Sequence, residues 1–199
     1  MDSIISLVGD GFVLSAADTT NARSIVVMKE NMDKIMELDK HRLLCMAGEP
    51  GDVAQFTEYI QKNVHLYELR TGIPMGTSAI ANFIRNELAK SLRRGPYSVN
   101  LLLGGYEPAT GQPELYYLDY LGTLHQMPFA AQGYCSYFVL STLDRYYKKN
   151  MSLEEAIEVM KKAISEVKSR FLINQPNFIM KVADKDGVRI LLPPAKSGA

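Results

Sequence analysis

Short apolar runs separated by turn residues open the chain. Residues 4–8 lead into the turn Gly9-Asp10-Gly11, and residues 12–17 follow. The pattern repeats at 24–28 and 42–47, with a shorter run at 34–38 between them. β-Branched and aromatic residues fill these runs, which predicts strands. In Ile4-Ile5 and Phe12-Val13-Leu14 the apolar residues are consecutive instead of alternating, as in strands covered on both faces.

The period then changes. Val53, Phe56, Ile60, Val64 and Tyr67 recur at helical spacing and predict a helix over 52–69, punctuated by Gly72 and Pro74. Ile80, Phe83, Ile84, Leu88 and Leu92 predict a second over 78–93, with Thr77 or Ser78 as cap and Gly95-Pro96 as stop. Strands return at 99–106, 115–121 and around Leu124, with a hairpin loop at 108–113 and a turn at Gly122. Two more helices are expected. One covers 136–147, and the other starts at Ser152, whose hydroxyl forms a capping box with Glu155. Strands at 178–183 and 188–192, joined through Asp184-Lys185-Asp186-Gly187, close the pattern.

Strands, two helices, strands, two helices and strands is not βαβ alternation, so a parallel doubly wound sheet is excluded. Hairpin-length links predict mainly antiparallel sheets. Two such sheets with a helix pair outside each make a layered α/β (α+β) fold, a four-layer α-β-β-α sandwich. The expected organisation is a single domain over 1–192 and a flexible tail at 193–199.

Composition narrows the partners. With 199 residues the chain can bury a core without disulfides or metal. Lys plus Arg and Asp plus Glu both total 22, so the formal net charge is zero. That balance argues against nucleic acid or an anionic membrane as partner, and it suits a surface that packs on other subunits. Cys45 and Cys135 lie far apart in apolar surroundings and are expected as buried free thiols. No apolar run approaches the ~20 residues of a membrane span. The first residues, Met-Asp-Ser-Ile-Ile-Ser-Leu-Val, show no export or transit signal.

Common site signatures do not occur. Gly48-Glu49-Pro50-Gly51-Asp52 lacks the lysine of a phosphate loop, and Gly104-Gly105 falls inside a strand. His41, His65 and His125 are scattered without ligand spacing, so neither a metal nor a cofactor is expected.

One constellation stands apart. Phe12-Val13-Leu14-Ser15-Ala16-Ala17 ends in Asp18, Lys34 follows in Met32-Asp33-Lys34-Ile35, and Leu43-Leu44-Cys45-Met46-Ala47 runs into Gly48. Together with Gln55-Phe56-Thr57-Glu58-Tyr59-Ile60, Tyr97-Ser98-Val99-Asn100-Leu101-Leu102-Leu103-Gly104-Gly105-Tyr106 and Leu143-Asp144-Arg145-Tyr146-Tyr147, it resembles the proteasome β-subunit family over essentially the whole chain. Within that family it looks most like the noncatalytic member at the fourth ring position.

The resemblance implies an N-terminal nucleophile hydrolase fold. In active members an exposed N-terminal threonine supplies both the nucleophilic hydroxyl and the basic amine. A lysine held by an aspartate tunes their proton affinity, and a glycine amide donates to the oxyanion. The aspartate matches Asp18, the lysine Lys34 and the oxyanion glycine Gly48. The nucleophile's place falls at about Asp2, and no threonine precedes Thr19. The family's supporting serine falls near Ala131-Gln132-Gly133, and its later aspartate and serine fall near Arg170 and Ile173. These are vestigial positions, with no catalytic residue implied.

What the resemblance implies for function is a noncatalytic structural β subunit of the 20S core particle. Its partners would be other proteasome β and α subunits, contacted through residues 48–67 and 134–147, in the cytoplasm and nucleus. Met1 is expected to stay, acetylated. Two alternatives remain open on the sequence: an amidase using Ser3, and a homo-oligomeric binding protein on the same fold.

Overall fold

Successive side chains of a strand point to opposite faces, so a strand with consecutive apolar residues feeds two cores at once. The computed structural model describes residues 2–23 and 26–193 of the chain. The apolar runs form β1 (Ser3–Val8), β2 (Phe12–Asp18), a short ribbon of β3 (Asn21–Arg23) and β4 (Val26–Lys29), then β5 (Ile35–Asp39) and β6 (Arg42–Gly48). Helices α1 (Pro50–Thr71) and α2 (Thr77–Ser91) follow, then β7 (Val99–Glu107), β8 (Gln112–Leu118), β9 (Leu124–Gln126) and β10 (Phe129–Gly133). Helices α3 (Ser136–Tyr146) and α4 (Leu153–Arg170) precede β11 (Phe178–Asp184) and β12 (Gly187–Leu192).

One five-stranded sheet has the order β10-β1-β2-β11-β12 and the other β5-β6-β7-β8-β9, every pair antiparallel. Ile5, Leu7, Leu14 and Ala16 pack with Val139, Leu143, Ala156, Met160 and Val167 of α3 and α4. Leu44, Met46, Leu101 and Leu103 pack with Phe56, Ile60, Ile80 and Ile84 of α1 and α2. Between the sheets, Ile4, Val13 and Ala17 meet Leu43, Cys45, Ala47 and Leu102. This is the four-layer α-β-β-α sandwich expected from the sequence.

Polar groups cross the middle layer. Gln132 Nε2 donates to the carbonyls of Leu101 (2.8 Å) and Leu118 (2.7 Å). Lys181 Nζ donates to the Ile35 carbonyl at 2.8 Å and pairs with Asp33 and Glu37. Gly104 sets the sheet spacing, since a Cβ there would come within 2.6 Å of Val13 Cγ1.

Several local expectations change. α1 begins at Pro50, because a first-turn proline lacks only an amide that has no helical partner. Neither Thr77 nor Ser78 caps α2. Its N-cap is Gly76, and the Thr77 amide donates to Glu107 Oε2 at 3.4 Å, a distant carboxylate that also takes Arg42 Nη2 at 2.9 Å. β8 spans Gln112–Leu118 instead of 115–121. Asp119 Oδ1 captures the amides of Leu121 and Thr123 and ends the strand early. The small residues of β10 carry little strand propensity, and pairing with β1 makes them a strand. The expected capping box of Ser152 and Glu155 is present. Residues 24 and 25 of the expected 24–28 strand, Met1, and the tail from residue 194 onward lie outside the described residues.

Cys45 and Cys135 are both free and buried, as expected. Burial pushes the Cys45 thiol up to about 11 and the Cys135 thiol to about 12. Both stay protonated, hence poor nucleophiles, across the neutral range. The folded chain is therefore expected to resist alkylation by iodoacetamide at pH 8, and both thiols react in denaturant. Because the unfolded thiols ionise first, stability falls as pH rises through their ordinary value toward 11. Peptide mass mapping and alkaline unfolding curves check these outcomes.

Candidate functional site

The turn Gly9-Asp10-Gly11 folds β1 back on β2 in the register Ile4–Ala17, so the start of one strand lies beside the end of the other. Asp18, at the end of β2, is fully buried there. Its Oδ1 accepts the Ser3 amide at 2.7 Å and its Oδ2 the Thr20 amide at 3.2 Å. Lys34, just before β5, reaches the same point and donates to Asp18 Oδ1 (3.0 Å) and Oδ2 (2.9 Å). It also donates to the Thr20 carbonyl at 2.7 Å and pairs with Asp2 Oδ1 at 2.8 Å. The three donors of the ammonium thus meet Asp18, Thr20 and Asp2, which lets a buried cation persist.

Gly48 ends β6 with φ 145°, and a Cβ there would lie 2.1 Å from the Ser98 carbonyl oxygen. Only glycine fits. Its amide donates to Asp2 Oδ2 at 3.0 Å. One carboxylate therefore bridges Lys34 and Gly48. On its other side Gly133, with φ 84°, leaves room for the Asp2 backbone, whose carbonyl oxygen would sit 1.9 Å from any Cβ.

Burial pushes the Asp18 carboxyl up, and the Asp2 charge adds to the rise; the Lys34 ammonium and the Ser3 amide pull it back without cancelling it. Two carboxylates share one ammonium, so Lys34 is the positive centre on which both depend.

The structure brings Asp2, Asp18, Lys34 and Gly48 into one cluster. Of the other expected positions, Gly133 borders the cluster through the Asp2 backbone, whereas three others lie elsewhere or have other partners. Ala131 sits in the core under α3 and α4, Gln132 bridges the sheets, and Arg170 is exposed, paired with Glu166. Ser3 faces away, as the strand's alternation requires, and its hydroxyl donates to Gln175 Oε1 at 2.7 Å. The sequence alone does not point to the Asp2 carboxylate as shared ligand, to the Thr20 carbonyl or to Gln175. The register across the Gly9–Gly11 turn was the one sequence signal that could have placed Asp2 beside Lys34.

Lys34→Met leaves two carboxylates facing each other and is expected to destabilise the chain by about 3–5 kcal/mol. Adding Asp18→Leu recovers part of that loss, since Asp2, the more exposed carboxylate, can turn to water. Urea unfolding of the four proteins in this cycle should show coupling beyond about 1 kcal/mol, and strict additivity would remove Asp18 as the lysine's partner.

Comparison with known proteins agrees with this geometry. The pattern of the proteasome subunit family matches residues 2–183. "Proteasome subunit beta type-2-A" of Arabidopsis thaliana is 54% identical over 189 residues, covering 95% of this chain and 92% of the relative. "Proteasome subunit beta type-2" of Dictyostelium discoideum is 48% identical over 193 residues, covering 96% and 97%. "Proteasome subunit beta type-4" of Saccharomyces cerevisiae is 40% identical over 190 residues, covering 95% and 96%. With its layered sheets, its Asp18–Lys34 pair and these relatives, the chain belongs to the proteasome subunit family.

Proposed function

We propose that this chain is a noncatalytic structural β subunit of the 20S proteasome core particle, at the fourth position of the β ring, in the cytoplasm and nucleus. It closes the ring, forms part of the chamber wall and supports neighbouring subunits that cut. The observation that carries this reading is the Asp2 carboxylate bound to both Lys34 and Gly48. A hydrolase of this design needs a hydroxyl at that place and an amide free to receive a developing oxyanion. Here the amide already donates to the Asp2 carboxylate. A second anion about 4 Å away would add roughly 4 kcal/mol of repulsion at an effective dielectric of 20.

Ser3 is a poor substitute. It is fully buried, with its hydroxyl committed to Gln175 and its amide to Asp18. The surface supports a role in assembly. Leu69 and Ile73 at the end of α1, Tyr137 and Leu140 on α3, and Val26-Val27-Met28 on the β3–β4 ribbon are exposed. Apolar surface of this extent suits burial against other subunits.

Purification from native cells tests the reading. The chain is expected to co-elute with many different subunits of similar size in a very large particle. Treating that particle with a hydroxyl-directed peptide electrophile should add mass to catalytic neighbours and leave this chain unchanged. An adduct on its first three residues, or isolation as a small homogeneous oligomer, would overturn the proposal.

A further inference from the structure

The contacts of Asp2 describe a receptor as well as a blocked site. On one side stands the Lys34 ammonium, its side chain 4% exposed, and on the other the Gly48 amide, held in place by the β6–β7 ladder. A flat, two-oxygen anion fits between them. Oδ1 lies 2.8 Å from Nζ and Oδ2 lies 3.0 Å from the amide nitrogen. Neither donor group belongs to the segment that carries Asp2. Lys34 is fixed by Asp18 and the Thr20 carbonyl, and Gly48 by its strand. The cradle thus has supports of its own.

The geometry points to a carboxylate-binding site formed by the Lys34 ammonium and the Gly48 amide, which the chain's own Asp2 fills as an internal ligand. Without the Asp2 side chain, a small free carboxylate binds in its place. A carboxylate is favoured over a spherical anion because the two donors come from different directions and each takes its own oxygen. A ligand that binds only the folded chain stabilises it in proportion to the logarithm of its concentration. This inference rests on the contacts of Asp2 and not on the absence of catalysis.

The test uses the full chain carrying Asp2→Ala, with its N-terminus defined by mass spectrometry, and titrates sodium formate against sodium chloride at matched ionic strength. Formate is expected to raise the Tm of Asp2→Ala in a saturable way by several degrees. It should not do so for the unaltered chain, for Asp2→Asn, which keeps the cradle filled, or for Asp2→Ala combined with Lys34→Met. Should Asp2→Ala fail to fold in chloride, the same titration is read as refolded yield, which formate and not chloride restores. Equal responses to formate and chloride, or a response that survives Lys34→Met, would overturn the site. Failure here leaves the noncatalytic role standing, and an electrophile adduct on the unaltered chain would remove that role without touching this result.

Discussion

The buried ammonium of Lys34 ties the start of one sheet to the other. Lys34 comes from the segment entering β5, in one sheet, and its partners lie at the end of β2 and before β1, in the other. A lone cation in that position would be prohibitively costly to desolvate. It is tolerated because every donor has an oxygen within 3.0 Å and because two of those oxygens belong to charged groups. The same arrangement fixes its partners in turn. Asp18 would be a buried, unpaired acid without Lys34, and the Ser3 amide that it accepts sets where β1 begins.

The same cluster closes on the chain's own first residues. The Lys34 ammonium and the Gly48 amide both bind the Asp2 carboxylate, and Asp18 holds the lysine from the other side. The fold itself accounts for the trio. Removing Lys34 strands the buried Asp18, removing Asp18 takes one of the two charged partners from a buried ammonium, and a side chain at Gly48 would strike the Ser98 carbonyl. Each is held by what it would cost the fold to lose it.

Covering both faces of both sheets is the second constraint. Three apolar layers must be filled by strands that alternate between them, so small residues recur where layers come close. Gly104 stands against Val13, and Gly105 stands against Thr77 and Arg42. Arg42 is itself nearly inaccessible, and with Asp39 and Glu107 it anchors the start of α2 from a different part of the chain. Local sequence rules placed the cap of that helix on Thr77 or Ser78. A distant, half-buried carboxylate does the work instead, since a charged acceptor held in place by Arg42 outcompetes a weaker local hydroxyl.

The sequence by itself determined what depends on near neighbours. Apolar periodicity placed α1 and α2, the capping box of Ser152 placed the start of α4, and runs of consecutive apolar residues marked the doubly covered strands. The segments around Asp18, Lys34 and Gly48 helped to mark the family. Only the tertiary structure decided what depends on register and on residues far apart: that β10 is a strand at all, that Glu107 caps α2, that Ser3 turns to Gln175, and that the Asp2 carboxylate lies across both Lys34 and Gly48. Periodicity reports which face of an element is buried. It carries no information about which atom on another strand, 46 residues away for Asp2 and Gly48, will meet it at hydrogen-bond distance. That is fixed only when all four layers pack together.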